Sequence, residues 1–136
     1  MSDITPNYPL MNNAESLATA NGKPLAEITL DEAAAGKLSA ADLQISAATL
    51  RAQAEIARQA GYAQLTANLT RAAELTIVPN ADLLRMYETL RPGRATLAEL
   101  LALADTLEKE YGASENARFV REAASVYKDR GMLRRD

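Results

Sequence analysis

Apolar residues recur at helical spacing along most of the chain, and proline and glycine residues separate the resulting segments. Over residues 65–76 one side of a helical wheel carries Leu65, Leu69, Ala72, Ala73 and Thr76, which predicts an amphipathic helix. Pro79 cannot donate to a helical ladder and disfavours the α region for the residue before it, so we expect this helix to end there and Asn80 to cap the next one. The residues predicted to share the apolar face of that next helix are Leu83, Leu84, Met86, Tyr87 and Leu90.

Capping residues mark where further helices begin in the first half of the chain. A capping box at Thr29 predicts a short helix over 30–35, and Ser39 predicts one further turn. Ser46 is expected to cap a longer helix that runs toward Gly61, where a bend is expected before the next segment.

The last third of the chain carries two more predicted helices. Thr96 supplies a second capping box, and Gly112 is expected to end that helix at the position after its last turn. Ser114 is expected to cap the final helix, and the tail beyond it, which includes Arg134, is expected to fray. The apolar stripe predicted to be buried on this final helix comprises Phe119, Val120, Ala123, Val126 and Tyr127.

The N-terminal part of the chain differs in character from the rest. Several features that resist regular structure fall there, namely Pro6, Pro9, the turn at 21–22 and Pro24. We therefore expect residues 1–28 to form an extended N-terminal arm and residues 29–136 to form a helical domain. No segment alternates with the period of a strand, so the predicted fold class is all-α, with about five or six helices after the arm.

Composition indicates that this chain does not build a large core of its own. Alanine accounts for 28 residues, and Leu, Ile, Val and Phe together account for another 28 of the 136. A fraction near ~20% of large aliphatic and Phe residues lies at the edge where chains fail to fold alone, although the net charge of −3 is too small to force disorder. The helices are therefore expected to pack as an irregular bundle on a partner subunit.

Charge and hydropathy exclude two classes of partner. The 15 basic and 18 acidic residues are spread along the helices, so no basic surface for nucleic acid is expected. No apolar run approaches the ~20 residues that a membrane-spanning helix needs, so no membrane partner is expected. The absence of cysteine fits a reducing compartment and rules out disulfides and thiolate metal sites.

The residue types that most often carry catalysis are also missing. The chain has no histidine, which removes the commonest general base and the commonest metal ligand. The carboxylates closest in sequence are Asp31 with Glu32, Asp105 with Glu108, and Glu108 with Glu110; the first set lies in a first helical turn and the others on a helix flank. We expect no catalytic, cofactor-binding or metal-binding residue in this chain, and an enzyme that works through paired carboxylates is the weaker rival hypothesis.

Short segments along most of the chain, in one register, are similar to one known family. The central ones are Ala72-Ala73-Glu74-Leu75, Tyr87 and Leu90-Arg91-Pro92, and the flanking ones include Tyr8-Pro9-Leu10, Gly22-Lys23-Pro24-Leu25, residues 53–60, Glu99-Leu100-Leu101-Ala102 and Phe119-Val120-Arg121-Glu122-Ala123. Together they resemble the small (gamma) subunit of adenosylcobalamin-dependent diol and glycerol dehydratases. Gln44 and Gly93 depart from the family pattern, which usually has an arginine and an aromatic residue there.

The resemblance implies a small, non-catalytic structural subunit. The family's reaction removes water from a vicinal diol such as propane-1,2-diol or glycerol and gives an aldehyde through radical intermediates. The substrate and a metal ion would lie in the large subunit, adenosylcobalamin between the large and medium subunits, and the small subunit against the large one, in a dimer of heterotrimers. The preference between the two diols would belong to another polypeptide.

The resemblance also implies a bacterial, cytoplasmic location. Some diol dehydratases carry an N-terminal extension that is linked to packing in microcompartments. The few residues before Tyr8 are expected not to supply one. A free-standing helical adaptor without an enzyme partner is the alternative function.

Charged and aromatic residues near the proline joints are the candidates for contact with a partner. Arg91 lies at a predicted helix end, where a cation either complements the exposed carbonyls or makes a bidentate contact with a partner, and Arg71 and Arg94 present the same two alternatives. Apolar residues of the arm are too sparse for a local core and are expected to anchor it on a partner. The candidate interface residues are Tyr8, Leu10, Leu25, Arg71, Tyr87, Arg91 and Arg94.

Overall fold

The structure is a computed structural model that describes residues 6–135. Within that range the chain contains six α-helices and no strand beyond an isolated antiparallel bridge between Ala18 and Pro24. The helices are α1 (Leu30–Ala34), α2 (Ala47–Gln59), α3 (Ala63–Leu75), α4 (Asn80–Thr89), α5 (Leu97–Tyr111) and α6 (Ser114–Asp129). The predicted all-α fold class is confirmed.

The chain divides into two compact units, Met1–Ala73 and Glu74–Asp136. The first unit also contains three short 3-10 helices, at Leu10–Ser16, Leu25–Glu27 and Ala40–Leu43. Two of these fall in the N-terminal arm. The predicted boundary between arm and helical domain, at residues 28 and 29, stays a prediction.

Most local helix signals act as the sequence predicts. The side chains of Thr29 and Ser46 accept hydrogen bonds from backbone N–H groups three residues on, and Ser39 and Thr96 head complete capping boxes. Gly112 ends α5 with a φ of 62°, a left-handed conformation that residues with a Cβ adopt at a cost. These signals depend only on residues within one turn of each other.

The cap of α4 differs from the prediction. Pro79, and not Asn80, occupies the N-cap position, and no side chain bonds to the first turn there. The carbonyl oxygen of Pro79 accepts from the N–H groups of Asp82 and Leu83, each at 3.0 Å. Pro79 has a φ of −57°, which proline's ring fixes, and a ψ of 142°, which is not helical. The change from extended to helical backbone therefore occurs at residue 79, and Asn80 is the first helical residue.

The start of α6 also differs from the prediction. Ser114 is the first helical residue and does not cap, while Ala113 at the N-cap position has no side chain that could. The carboxylate of Glu74 takes over this task, since it accepts from the backbone N–H groups of Glu115 at 3.0 Å and Asn116 at 2.9 Å. The cap of α6 therefore comes from a residue about forty positions earlier in the chain.

The core of the second unit lies where α5 and α6 pack against each other. One buried cluster contains Ala104, Leu107, Ala113, Ala117 and Val120, with Leu75, Met86, Leu90, Leu103 and Tyr111 packed around it. A second contains Ala95, Leu100 and Ala124, with Leu90, Leu97, Tyr127 and Leu133 around it. The two clusters share Leu90 at the end of α4.

The buried stripe of α6 is only partly the predicted one. Val120 is buried and Tyr127 partly buried, but Phe119 is 49% exposed and Val126 is 43% exposed. Small residues, Ala117 and Ala124, occupy the close contact with α5 instead. Small side chains let two helices approach closely, so these alanine positions of α6 face α5.

The tail after α6 is held in place, contrary to the expected fraying. The backbone N–H of Arg134 donates to the carbonyl of Ala95 at 2.8 Å, and that of Gly93 donates to the carbonyl of Met132 at 2.8 Å. The Arg134 guanidinium also contacts Glu99 at 3.0 Å. The tail through residue 134 thus belongs to the packed part of the second unit.

Candidate functional site

Few of the large apolar side chains in the described range are fully buried. Of the twelve buried hydrophobic residues in the described range, eight are alanine, and the larger ones are Val78, Leu100, Leu107 and Val120. Thirteen large hydrophobic residues are exposed in the same range: Tyr8, Met11, Leu30, Leu43, Ile45, Tyr62, Leu65, Ile77, Leu84, Tyr87, Leu101, Phe119 and Val126. Single exposed apolar residues are ordinary, but an excess over the buried ones is typical of a chain that buries them against another protein.

An apolar groove of about 710 Å³ lies on the first unit. Two predicted contact residues of the arm, Tyr8 and Leu10, lie along it, and Tyr8 is 82% exposed. Residues of α2 and α3 complete its lining, among them Ile56, Leu65 and Leu69. The groove therefore brings two candidates together with helix residues that sequence analysis did not select.

The other two candidates of the first unit lie elsewhere in it. Leu25 begins a 3-10 helix, is half-buried, and donates its N–H to the carbonyl of Leu17 at 3.0 Å. Arg71 is half-buried, and its guanidinium donates to the side-chain oxygen of Asn68, one turn earlier in α3. Neither residue lines the groove formed by Tyr8 and Leu10.

Candidates of the second unit meet on one side of α4. Leu84 is 69% exposed and Tyr87 is 60% exposed, whereas Met86 and Leu90 pack into the core. At 100° per residue, Leu84, Tyr87 and Arg91 fall within about 60° of one another, and the centre of this arc lies roughly 110° from that of Met86 and Leu90. We call this side, with residues Leu84, Tyr87, Glu88 and Arg91, the outer face of α4.

The expectation that Leu84 and Tyr87 share the core face of α4 is therefore wrong. The apolar positions of this helix cover too wide an arc for one neighbour to bury. Leu84 is exposed but was not among the predicted contact residues. Its position about 160° from Met86 on a helical wheel was the signal that could have identified it.

Arg91 and Arg94, the two candidate arginines of the second unit, are paired with the same carboxylate. Arg91 Nη1 lies 3.1 Å from Glu88 Oε2, and Arg94 Nε lies 3.5 Å from Glu88 Oε1. All three side chains are more than half exposed, so these ion pairs are weak and easily exchanged for other partners. Two cations that share one acid leave net positive charge next to Leu84 and Tyr87.

The paired carboxylates are held by cations and do not form a reactive pair. Arg121 Nη2 donates to Asp105 Oδ1 at 2.8 Å and to Glu108 Oε2 at 2.6 Å. The hydrogen bond from Arg121 holds the pKa of Asp105 below its ordinary value, so this acid is ionised at neutral pH. Glu32 similarly contacts Lys37 at 3.4 Å. An acid with a lowered pKa is a poor proton acceptor near neutrality, which disfavours the paired-carboxylate hypothesis.

Residues 6–135 contain neither a cluster of metal-ligating side chains nor a helix that could span a membrane. Among residues 6–135, no group of three or more His, Cys, Asp or Glu side chains is placed to hold a metal ion. In the same part of the chain, none of the helices combines the length and the apolar character required to cross a bilayer.

Comparison with known proteins agrees with the resemblance seen in the short segments. The sequence matches the family described as dehydratase small subunit over residues 4–134. Two relatives, from Citrobacter freundii and from Salmonella typhimurium strain LT2, are each described as a propanediol dehydratase small subunit. Each is 47% identical over 131 residues, which cover 96% of this chain and 76% of the relative. A match of this extent places the chain, by descent and not only by fold, in the dehydratase small subunit family.

Proposed function

We propose that this chain is the small, non-catalytic structural subunit of an adenosylcobalamin-dependent diol dehydratase. The complex would be a hydro-lyase that converts propane-1,2-diol or glycerol to an aldehyde and water by radical chemistry on its large subunit. The names of the two relatives support propanediol as a substrate class. The preference between the two diols would be set by another subunit.

One observation carries the structural role of this chain. More large apolar side chains are exposed than buried in the described range, and the largest fully buried side chain is a single leucine, Leu100. Apolar surface left in water raises the free energy of the chain by about 25 cal/mol per Å², so covering it with a partner stabilises the complex. This observation favours a subunit that reaches its full stability only when it is bound to a partner.

The chemistry of the chain does not fit a cobalamin or metal site of its own. The sequence contains no histidine and no cysteine, the side chains that most often ligate cobalt or other transition metals. The described carboxylates that lie close together are paired with arginine or lysine. We therefore assign adenosylcobalamin and the metal ion to the other subunits, and derive no catalytic step for this chain.

The proposed partners are a large and a medium dehydratase subunit, assembled as a dimer of heterotrimers in the bacterial cytoplasm. The exposed candidates Tyr8, Tyr87, Arg91 and Arg94 and the half-buried Leu10, Leu25 and Arg71 are proposed to contact them. The alternative of a free-standing helical adaptor is disfavoured because the family match covers residues 4–134.

The decisive experiment is co-expression of this chain with the large and medium subunits of its own organism. We expect the three chains to co-purify, with a mass by light scattering of two copies of each. The complex should dehydrate both diols only when adenosylcobalamin is added, and this chain alone should not. Omitting this chain should leave the other two subunits less soluble or less active.

Two results would contradict the proposal. Turnover by this chain alone would assign catalysis to it. A monodisperse, cooperatively unfolding chain that does not co-purify with either subunit would favour the adaptor.

A further inference from the structure

Asp42 is a buried carboxylate whose two oxygen atoms serve two different segments of the first unit. It is 8% exposed and lies in the 3-10 helix Ala40–Leu43. Oδ2 accepts from the backbone N–H of Ser39 at 2.8 Å and from its hydroxyl at 3.0 Å. Oδ1 accepts from the hydroxyl of Thr19 at 3.3 Å and from the amide of Asn21 at 3.4 Å. One oxygen completes a capping box, and the other holds the arm.

The part of the arm that Asp42 contacts is a closed turn. The N–H of Thr19 donates to the carbonyl of Lys23 at 2.9 Å, and the N–H of Gly22 donates back to the carbonyl of Thr19 at 2.9 Å. Gly22 has a φ of 81°, which a residue without a Cβ adopts readily. The N–H of Leu25 donates to the carbonyl of Leu17 at 3.0 Å and so closes the base of the turn.

A second contact joins the same two segments. Lys23 Nζ donates to the carbonyl of Lys37 at 2.6 Å, two residues before the capping box. The hydrogen bond from the Ser39 N–H holds the pKa of Asp42 below its ordinary value, and the charge of Lys23 lowers it further. The carboxylate is therefore ionised at neutral pH, when its hydrogen bonds to four donors are strongest.

We infer that Asp42 is a positioning residue that latches the turn 17–25 of the N-terminal arm to the segment 37–42 before a partner binds. A segment already fixed in its bound form loses less conformational entropy on association. The latch would present Leu25, a predicted contact residue, in one place. This last step rests on the proposed function, whereas the latch itself does not.

A carboxylate can accept hydrogen bonds from the capping box with one oxygen atom and from the arm with the other. Asparagine has a single side-chain oxygen, so it can accept from the capping box or from the arm but not from both. If the oxygen stays with the Ser39 N–H, the new amide group faces the Thr19 hydroxyl and the Asn21 amide; the hydroxyl can still accept one hydrogen bond, but the charge-assisted bonds from both arm donors are lost. Asp42→Asn should therefore release the arm while leaving side-chain volume unchanged.

The test is hydrogen exchange by mass spectrometry on the purified complex that contains the full-length chain. We expect amides in residues 17–25 to exchange at least about tenfold faster in Asp42→Asn, since hydrogen bonds to a charged group are among the stronger ones. Asp31→Asn, an exposed acid of α1, is the matched control for charge and should leave the arm unchanged. Residues 47–59 in α2 report whether the first unit stays folded.

A second variant keeps the inference testable if Asp42→Asn fails to fold. Thr19→Val removes a donor to Asp42 on the arm side and leaves the capping box of Ser39 and Asp42 intact. The Thr19 hydroxyl also accepts from the N–H of Lys23 at 3.1 Å, so the Lys23 amide is left out of this comparison. It should accelerate exchange over 17–25 as well, and the double variant should show little further effect. Ser39→Ala removes only the cap hydroxyl and should leave the arm protected.

The outcomes separate the latch from the proposed function. Unchanged exchange over 17–25 in both Asp42→Asn and Thr19→Val would overturn the latch. Faster exchange with unchanged dissociation of subunits in urea would overturn the role of the turn in binding. If the wild-type chain does not assemble at all, the proposed function fails, and exchange in the free full-length chain still tests the latch.

Discussion

Glu74 and Asn116, which lie far apart in the sequence, are joined by two hydrogen bonds in the second unit. Glu74 Oε2 accepts from the backbone N–H of Asn116 at 2.9 Å and from its side-chain amide at 2.8 Å. Asn116 is buried, and Glu74 Oε1 also accepts from the N–H of Glu115 at 3.0 Å. The carboxylate therefore satisfies first-turn donors of α6 and lies at the positive end of its dipole.

Replacing Glu74 should destabilise the second unit. Glu74→Ala would leave the N–H and the amide of buried Asn116 without this acceptor, at a cost of about 1–3 kcal/mol in the free energy of unfolding. Ser114→Ala is the matched control and should cost less than about 0.5 kcal/mol, because the Ser114 side chain does not cap. Urea unfolding of the full-length chain, followed by circular dichroism, measures both. A larger loss for Ser114→Ala than for Glu74→Ala would contradict this assignment and support Ser114 as the N-cap of α6.

Tyr127→Phe should weaken the contact between α6 and the end of α4. The Tyr127 hydroxyl donates to the carbonyl of Leu90 at 2.6 Å, one of the carbonyls without a helical partner at the end of α4. We expect a loss of about 1 kcal/mol. Tyr111→Phe is the control, because its bond to Asp82 is 3.3 Å long and Asp82 keeps its ion pair with Arg85. Equal losses for the two variants would contradict this assignment.

Arg91→Ala should weaken assembly of the complex more than it changes the fold. Within the chain Arg91 makes only an exposed pair with Glu88, so its loss should cost no more than about 1 kcal/mol of chain stability. If it meets a desolvated carboxylate of a partner, assembly should lose about 2–5 kcal/mol. Arg85→Ala is the control, since Arg85 lies on the same helix, also pairs at (i,i+3), and is off the outer face.

The measurement is urea-dependent dissociation of subunits, with turnover assayed on the intact fraction. Arg91→Ala complexes should dissociate at lower urea and keep normal turnover while intact. Dissociation that matches Arg85→Ala would remove Arg91 from the interface. Normal assembly with abolished turnover would overturn the non-catalytic role of this chain.

Glu55 should titrate far below an ordinary glutamate. Hydrogen bonds from Arg58, and then from Gln59, lower its pKa from 4.5 to about 2. Because the pKa is lowered in the folded chain, the stabilisation is present above the ordinary value of 4.5 and is lost as the pH falls through about 2. Carbon-13 NMR of the side-chain carboxyl measures the midpoint. In Arg58→Ala it should rise toward 4.5, and a native midpoint already near 4.5 would contradict the interaction.

Contacts among the predicted contact residues could be predicted from the sequence where the residues lie close together in it. Arg91 and Arg94 lie one turn apart and meet the same acid, Glu88. The groove beside Tyr8 could not be predicted, because its lining combines residues of the arm with residues of α2 and α3 that lie far from them in the sequence. The exposure of Phe119 could not be predicted either, because the apolar residues of α6 span roughly half of the helix circumference and no local signal says which part of that arc a neighbour buries.

The sequence by itself determined where helices start and stop wherever the signal is local. The capping boxes of Ser39 and Thr96 and the glycine stop at Gly112 need only neighbours within one turn, and their geometry follows from bond angles and hydrogen bonding of the chain itself. Only the tertiary structure decided that Glu74 caps α6, that Asp42 holds the arm, and which side of α4 faces the core. Such contacts join residues twenty to forty positions apart, and the partner that satisfies each group is fixed only when the helices pack.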